Sequence, residues 1–204
     1  MITIVDYGLG NICAFANVFK QQNVDFAIAK SAEELRSASK IILPGVGAFD
    51  HAMERLERSG MRATLDYLVL DQGVPVLGVC VGMQMLAESS DEGKLPGLGW
   101  IKGRVRGFKT TLADRDLPLP HMGWNDVHPV PGHGLFHGLE TEARFYFLHS
   151  FYLECAEETD VAAIANYGLK FHAAVSHRNI HGAQFHPEKS HHLGARFLKN
   201  YSDL

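Results

Sequence analysis

The sequence contains few cysteines, and Cys13, Cys80 and Cys155 are the only three among 204 residues. An odd and sparse set of this kind does not suggest the disulfide framework of a small secreted domain. We therefore expect the three thiols to be unpaired and the protein to work in a reducing compartment. Any chemistry at a cysteine then depends on the groups around a single thiol.

Blocks of like charge and long apolar runs are also missing. The 19 basic and 23 acidic residues are spread along the chain, without the basic block that binding to a nucleic-acid backbone requires. No run of 18 apolar residues is present, and the first residues do not have the basic and apolar segments of a secretion signal. We expect a soluble, cytoplasmic protein that binds neither nucleic acid nor membrane.

Linkers, internal repeats and low-complexity segments are absent as well. With 46% hydrophobic residues, the chain is long enough for one sizeable core and short for two full domains. We therefore predict a single domain over residues 1–204.

The first hundred residues alternate between β and α patterns. Short apolar runs at 2–5, 24–29, 40–43 and 74–79 predict strands, and the stretch 50–72 has a helical composition. The run at 74–79 is apolar on both faces, which is typical of a central strand in a parallel sheet. This order predicts an α/β fold with a flavodoxin-like, open and mainly parallel sheet flanked by helices.

The second half is mostly β in character and ends in a helix. The spacing of Leu193, Phe197 and Tyr201 predicts that closing helix, with an apolar stripe facing the sheet. We expect additional antiparallel β structure in this half, from short pieces at 104–108, 145–153, 161–167, 173–177 and 182–185.

Cys80 lies in the sequence Gly-Val-Cys-Val-Gly, between the predicted central strand and a helix-forming segment. This pattern is typical of a nucleophile elbow, here with sulfur in place of the usual oxygen. Glycines two positions to either side permit a tight turn, and the N-terminus of the next helix favours a thiolate. The alternative is a buried structural thiol, which is the usual role of a free cysteine.

His186 and Glu188 supply the base and the orienting group that a thiolate nucleophile needs. Residues two apart in a strand share a face, so Glu188 is expected to hold the imidazole of His186 at a strand end. Pro187 suits such an end because it has no N–H to donate. Alone, a His-x-Glu pattern is more often a surface strand end, but together with the elbow it predicts an active site.

A glycine loop, Gly45-Val46-Gly47, follows the third predicted strand. Neighbouring parallel strands end at the same edge of a sheet, so an N–H of Val46 or Gly47 is expected close to the N–H of Val81. Two such donors aimed at one point form an oxyanion hole.

The elbow and the His-Pro-Glu segment together resemble the triad of class I glutamine amidotransferases. Within that group the whole chain is similar to the glutaminase subunits of imidazole glycerol phosphate synthases. Pro-Gly-Val-Gly stands at 44–47, where anthranilate- and aminodeoxychorismate-type glutaminases typically carry Pro-Gly-Pro-Gly. Further similar stretches are 6–11, 78–84, 121–125, 145–150 and 186–190.

This resemblance implies a glutaminase that needs no metal and no cofactor. Cys80 would attack the side-chain amide of L-glutamine, His186 would protonate the departing ammonia, and Glu188 would orient His186. The resemblance places the substrate against Gly47, Gln84, Glu92, His149, Ser150 and Phe151. From the residues alone, Gln84 is rather a solvated helix residue and Ser150 a strand-end hydroxyl.

The resemblance also implies a partner, a (β/α)8-barrel cyclase that joins the chain in a heterodimer. The cyclase would use the ammonia to form imidazole glycerol phosphate and an aminoimidazole carboxamide ribotide in histidine biosynthesis. Asn11, Trp124 and Lys189 correspond to positions near that interface, although a solvent-facing lysine and a core tryptophan are the plain alternatives. Glutaminase activity is expected to be low until the liganded cyclase binds.

Other interpretations of the sequence stay open. Twelve histidines invite a metal site, for example at His128, His133 and His137, but no His-Glu-x-x-His or Cys-x-x-Cys pattern is present. An α/β-hydrolase with a cysteine nucleophile normally has its acid before the histidine, whereas here the histidine comes first. A noncatalytic flavodoxin-like module would bind phosphate at residues 8–10. A different ammonia-accepting synthase is a further alternative.

Overall fold

The computed structural model describes residues 1–111 and 117–204. In the first half, strands and helices alternate as the apolar pattern predicts. The strands are β1 (Ile2–Val5), β2 (Phe26–Ala29), β3 (Ile41–Gly45) and β4 (Val76–Cys80). The helices are α1 (Ile12–Gln21), α2 (Ala32–Leu35), α3 (Phe49–Arg58) and α4 (Arg62–Asp66), and α4 continues as a π-helical turn, Tyr67–Asp71.

The second half is mostly β, with helices at either end. After helix α5 (Val81–Gln84) come β5 (Ser89–Ser90), β6 (Gly103–Gly107) and the short helix α6 (Phe108–Thr111). The remaining strands are β7 (His121–Pro129), β8 (Arg144–His149), β9 (Phe151–Cys155), β10 (Val161–Asn166), β11 (Lys170–His177) and β12 (Ile180–Ala183). Short 3-10 turns span Gly134–Phe136, Glu158–Asp160 and Pro187–Lys189, and helix α7 (His191–Asp203) closes the chain.

Among the described residues, the strands form a nine-stranded sheet in the order β2-β1-β3-β4-β12-β11-β10-β7-β8 and a three-stranded sheet in the order β5-β6-β9. The first five strands of the large sheet are parallel, and the last four pair antiparallel. This confirms the predicted α/β fold with additional antiparallel structure. No helix in the described part of the chain is long and apolar enough to cross a membrane.

Local capping and core packing explain why the flanking helices form where they do. Asn11 caps α1 by accepting a hydrogen bond from the N–H of Ala14, and Ser31 caps α2 by accepting one from Glu34. The closing helix is fixed by Tyr201, which is fully buried and donates its hydroxyl to the carbonyl oxygens of Ile41 and Pro75. The N-terminal strands and the last helix therefore share one core.

The structure adds to or differs from the sequence analysis at three segments. The helix-compatible stretch 50–72 forms two helices and a π-helical turn, because the chain turns at Gly60, whose φ is +72°. The predicted piece 145–153 is two strands, which part at Ser150 and enter different sheets. Strand β7 was not predicted at all, because only His121 and Val127 of its nine residues are buried and its exposed positions include Met122 and Trp124, so no apolar alternation marks it.

Candidate active site

Cys80 is the last residue of β4, in the middle of the large sheet, and α5 begins at the next residue. Its φ of +55° and ψ of −113° are rare for a residue with a side chain. A Cβ at Gly78 would lie 2.5 Å from the carbonyl oxygen of Gly82, and one at Gly82 would lie 2.0 Å from that of Leu43. Backbone segments therefore meet at this turn so closely that only glycine fits at both positions.

The sulfur of Cys80 is buried and faces polar groups from two neighbouring segments. It lies 3.8 Å from the carbonyl oxygen of Leu148, at the end of β8, and 3.9 Å from Nε2 of Gln184, just after β12. His186 lines the same cavity as this sulfur, and interaction with Cys80 is one of the causes that raise the pKa of His186. A strained, buried cysteine that shares a cavity wall with a histidine is the arrangement expected of a nucleophile.

His186 and Glu188 form a buried pair, with 2.8 Å between Nδ1 and Oε1 and side chains that are 4% and 2% exposed. Their juxtaposition corrects one expectation, since β12 ends at Ala183 and the pair is not on a strand. The 3-10 turn Pro187–Lys189 brings Glu188 back to the ring, and Pro187 suits the first position of that turn. The backbone of His186 is anchored to the neighbouring strand by its N–H, which donates to the carbonyl oxygen of Tyr146.

The pKa of His186 reflects opposing effects. Burial lowers it, but hydrogen bonds and charge interactions with Cys80 and Glu188 outweigh burial and raise the pKa of His186 to about 10. The raised pKa favours the imidazolium form of His186, with the Glu188 carboxylate at its Nδ1. The second carboxylate oxygen of Glu188, Oε2, is buried and has no hydrogen-bond partner among the described residues.

The predicted oxyanion residues lie where parallel pairing places them. Strands β3 and β4 run side by side with Gly45 opposite Cys80, so the loop after β3 reaches the elbow. A Cβ at Gly45 would stand 2.3 Å from the backbone nitrogen of Gly82, which makes glycine necessary for this approach. Val46, Gly47 and Val81 all line the cavity in front of the sulfur.

A cavity of about 310 Å³ opens in front of Cys80 and His186, which is enough for a small amino-acid ligand. All six residues that the resemblance assigned to glutamine line this cavity, namely Gly47, Gln84, Glu92, His149, Ser150 and Phe151. Pro120, Leu148 and Lys189 also line it and were not assigned to the substrate.

Gln84 is 2% exposed, which excludes a solvated helix residue. Its Nε2 donates to the carbonyl oxygen of Phe151 at 2.9 Å and to Oε1 of Gln184 at 3.1 Å. Glu92 lies at the outer end of the cavity and accepts a hydrogen bond from the N–H of Phe49. Partial burial raises the pKa of Glu92, and that hydrogen bond opposes the increase. Both residues are held in place before any ligand binds.

His149 supports the cavity wall through both of its ring nitrogens. Nδ1 lies 2.8 Å from the carbonyl oxygen of Phe151, and Nε2 lies 2.9 Å from Nδ1 of His121. Burial lowers the pKa of His149 to about 3 and that of His121 to about 4, so both rings are neutral. Because both ring nitrogens of His149 have partners inside the protein, only its ring carbons and its backbone atoms are available to contact a ligand.

The three residues assigned to a partner interface are all exposed. Trp124 is 40% exposed and stacks on His191 with 5.3 Å between ring centroids, so it is not a core tryptophan. Lys189 places its ammonium group 5.9 Å from the ring of Tyr146 while lining the cavity. Asn11 is exposed at the start of α1, a helix that packs against the Pro187–Lys189 turn.

Two buried residues of the site were missed by the sequence analysis. Gln184, which contacts both Gln84 and the Cys80 sulfur, stands immediately before Phe185 and His186, and its position there was the available signal. Tyr7 donates its hydroxyl to the carbonyl oxygen of Pro44 and so fixes the end of β3. Burial raises the pKa of Tyr7, which keeps this donor protonated.

The histidines considered as metal ligands do not form a metal site. His133 accepts a hydrogen bond from the N–H of Leu135, at the start of a 3-10 turn. Across residues 1–111 and 117–204, no group of three or more His, Cys, Asp or Glu side chains is arranged to hold a metal ion.

Comparisons with known proteins agree with this geometry. Residues 3–202 match the family described as glutamine amidotransferase class-I. Imidazole glycerol phosphate synthase subunit HisH of Bdellovibrio bacteriovorus is 62% identical over 204 residues, covering all of both chains. The chain belongs to the class I glutamine amidotransferases, in the HisH family. The HisH subunit of Leptospira borgpetersenii is 52% identical over the same length, again with all of both chains covered.

Solved structures agree with the HisH assignment at the level of the fold. A crystal structure of a glutamine amidotransferase superposes with a TM-score of 0.76 at 17% identity, covering 99% of this chain and 97% of that one. The family match and the HisH relatives confirm the predicted enzyme class and the predicted function as the glutaminase subunit of an imidazole glycerol phosphate synthase. The hydrolase and binding-module alternatives are set aside.

Proposed function

We propose that this HisH glutaminase hydrolyses L-glutamine to L-glutamate and ammonia with Cys80 as nucleophile, His186 as acid and base, and Glu188 as the group that orients His186. The observation that carries the proposal is that the strained, buried Cys80 thiol lines the same cavity as His186, whose imidazole lies 2.8 Å from the carboxylate of Glu188. Separate segments, the elbow and the turn after β12, meet there at the wall of one cavity.

The reaction begins with a thiolate at Cys80 facing a protonated His186. The sulfur attacks the side-chain amide carbon of glutamine, and His186 gives its proton to the nitrogen as the C–N bond breaks and ammonia leaves. Water then attacks the glutamyl thioester while His186 takes its proton, and the C–S bond breaks to release glutamate and restore the thiolate. Glutamine and water are consumed, and glutamate and ammonia are formed.

Negative charge develops next to the elbow in both steps, on the side-chain carbonyl oxygen of the amide in the first step and of the thioester in the second. The N–H of Val81 and an N–H of Val46 or Gly47 are the donors proposed for that oxygen. Gly47 has a φ of +84° and no atom within 4 Å of where a Cβ would be, so the loop has room to turn its N–H groups. This room supports the proposal that the hole is completed only when the cyclase and its ligand bind.

The glutamine backbone is proposed to lie along Gln84, Glu92, Ser150 and Phe151, with His149 behind them. Gln84 uses its amide N–H groups inside the protein, which leaves its Oε1 to accept from the substrate's ammonium group. Glu92 offers a carboxylate at the outer end of the cavity for the same group.

The proposed acceptor of the ammonia is a (β/α)8-barrel cyclase that forms a heterodimer with this chain. Ammonia released into water would be protonated and lost, so a partner must cover the route out of the site. Trp124, Lys189 and Asn11 are exposed, and Lys189 lines the cavity itself, which supports an interface at its mouth. The product would be imidazole glycerol phosphate, formed with the carboxamide ribotide in histidine biosynthesis.

We also propose that residues 1–204 form one glutamine amidotransferase domain. One cluster of buried apolar side chains extends from Ile2 to Tyr201 and contains residues from every part of the large sheet. A single continuous core supports a single folding unit.

Glutamate release from glutamine tests the proposal, measured with and without cyclase that carries a ribonucleotide ligand. Wild type should release glutamate, more so with the liganded cyclase, and Cys80→Ala should release none. Cys13→Ala is the matched control, because Cys13 is an exposed free thiol away from the cavity. Cyclase paired with Cys80→Ala should still work with ammonium salts. Glutamate release by Cys80→Ala would contradict the assignment of the nucleophile.

A further inference from the structure

Gln184 is a buried glutamine at the centre of the site that the proposed mechanism does not use. Gln184 is 0% exposed, and its backbone N–H donates to the carbonyl oxygen of Ala173. Strand β12 pairs in parallel with β4, and Ala183 lies opposite Val79. The residues that follow these two in the chain, Gln184 and Cys80, therefore lie side by side. The side chain is therefore fixed in the sheet at the level of the nucleophile.

The orientation of the Gln184 amide follows from its neighbours. A backbone carbonyl can only accept, so the Gln84 atom that lies 2.9 Å from the oxygen of Phe151 is its NH₂ group. That NH₂ group also lies 3.1 Å from the amide of Gln184, which must therefore present its oxygen. The remaining NH₂ group of Gln184 is then the atom that lies 3.9 Å from the Cys80 sulfur.

Two neutral histidines hold the carbonyl on which this orientation depends. His149 donates from Nδ1 to the oxygen of Phe151, so its Nε2 accepts from Nδ1 of His121. Nε2 of His121 in turn accepts from the side-chain amide of Asn125 at 3.2 Å. The donor series from Asn125 through the two histidines therefore ends at the carbonyl oxygen of Phe151, where it meets Gln84, and a second series runs from Gln84 through Gln184 to the sulfur.

We propose that Gln184 donates an N–H to the sulfur of Cys80 and so stabilises the thiolate, both before attack on glutamine and when it leaves the thioester. The proposal rests on the proposed function, in which Cys80 is the nucleophile. The Gln184 N–H is a neutral donor that acts together with the imidazolium of His186. It remains next to the sulfur after His186 has given its proton to ammonia. Charge-assisted hydrogen bonds of this kind favour the charged partner.

The experiment follows alkylation of Cys80 by iodoacetamide across a pH series, using the full chain and reading the Cys80 peptide by mass spectrometry. Peptide-level detection separates Cys80 from Cys13 and Cys155, which are also free. The variants are Gln184→Met, which keeps the length of the side chain without a donor, and Gln184→Glu, which keeps its shape and adds negative charge. Steady-state glutaminase assays with the cyclase accompany them.

The matched control is Gln22→Met, since Gln22 is a partly buried glutamine whose Nε2 donates to the carbonyl oxygen of Ala195. This control measures the cost of removing an internal amide hydrogen bond outside the site. Circular dichroism and complex formation with the cyclase verify that each variant is folded. If Gln184→Met does not fold, Gln184→Glu retains the hydrogen bond from Gln84, and an alkylation midpoint that is unchanged in that variant would still overturn the proposal.

We expect the alkylation midpoint of Gln184→Met to rise by about one pH unit, and that of Gln184→Glu to rise further. The kcat should fall on the order of ten-fold, with a smaller change in KM, because Gln84 keeps its hydrogen bond to Phe151. A folded Gln184 variant with the wild-type midpoint and kcat overturns the proposal and leaves the glutaminase intact. If wild type itself releases no glutamate, the proposed function fails, while the alkylation midpoints still report on Gln184.

Discussion

The two walls of the cavity are held by different kinds of interaction. On the wall that carries Cys80, backbone segments of β3, β4 and α5 approach so closely that glycines at 45, 78 and 82 leave no room for a Cβ. On the opposite wall, where β8 passes into β9, His121 is hydrogen-bonded to His149, and His149 and Gln84 both donate to the carbonyl oxygen of Phe151. The Cys80 wall therefore requires glycines, which have no Cβ, and the opposite wall requires that each histidine carries its proton on the correct ring nitrogen.

The two walls should respond differently to substitutions and to acid. An added methyl group should disrupt the Cys80 wall at any pH, because the clash is steric. The opposite wall should respond to acid, because its histidines must stay neutral to keep their donors and acceptors in order. The His186–Glu188 pair lies between the two walls, and the pKa of His186 should change when the charge of Glu188 is removed.

The largest effect is expected for Glu188→Gln, which removes the carboxylate from the His186–Glu188 pair. Loss of this partner should lower the pKa of His186 from about 10 and disturb its tautomer, so that kcat falls by roughly 10²- to 10⁴-fold. Because His186 must be protonated, the alkaline limb of the pH–rate profile should move to lower pH. Glu33→Gln, at an exposed position in α2, is the control. An unchanged profile would show that Glu188 does not act through His186.

A smaller effect is expected for Gly82→Ala in the Cys80 wall. The new Cβ would lie 2.0 Å from the carbonyl oxygen of Leu43, so the backbone must shift at a cost on the order of 2–4 kcal/mol. Denaturant unfolding should show this loss, and glutaminase activity should fall because the elbow moves. Gly73→Ala is the control, since its site is open and only its φ of +68° is unfavourable. Equal losses for the two variants would contradict the steric account of the elbow.

The smallest effect is expected for His121→Phe in the opposite wall, and it should depend on pH. In the folded protein the pKa values of His121 and His149 are about 4 and 3, below the usual 6.5 of the unfolded chain. The unfolded state therefore binds more protons between these values, and wild-type stability should decline as pH falls from 6.5 towards 3.

Without His121, that decline should be less steep, by an amount on the order of 1–3 kcal/mol between pH 7 and pH 4. At pH 7 the variant should lose only a few-fold in kcat, because His149 still donates to Phe151. Urea unfolding at a series of pH values measures the difference. Parallel wild-type and variant curves would show that the histidine pair does not respond to acid as proposed.

The same contrast explains what could be predicted from the sequence. The elbow is visible because its backbone geometry requires glycine on either side of Cys80, and the order of β and α patterns predicts the parallel sheet around it. The turn that brings Glu188 to His186 is not visible, since two residues of spacing fit a strand equally well. Gln184 was missed although it stands directly before Phe185 and His186, because its place beside the sulfur follows only from the pairing of β12 with β4.

Strand β7 shows the same limit on the opposite wall. Its nine residues include Trp124, Asn125 and Asp126, and only two of the nine are buried, so no apolar alternation marks it as a strand. One of the two is His121, whose partner His149 lies 28 residues further along the chain. Hydrogen bonds between side chains that are distant in sequence leave no periodic signal.

The most direct test of the central claim is to trap the glutamyl thioester. The complex with liganded cyclase would be mixed with glutamine, quenched in acid within the first turnovers, and digested for mass spectrometry. Our account predicts a glutamyl group on the peptide that contains Cys80, absent in Cys80→Ala and present in Cys13→Ala. Full glutamate release from wild type with no glutamyl group on Cys80, or with that group on another residue, would contradict it.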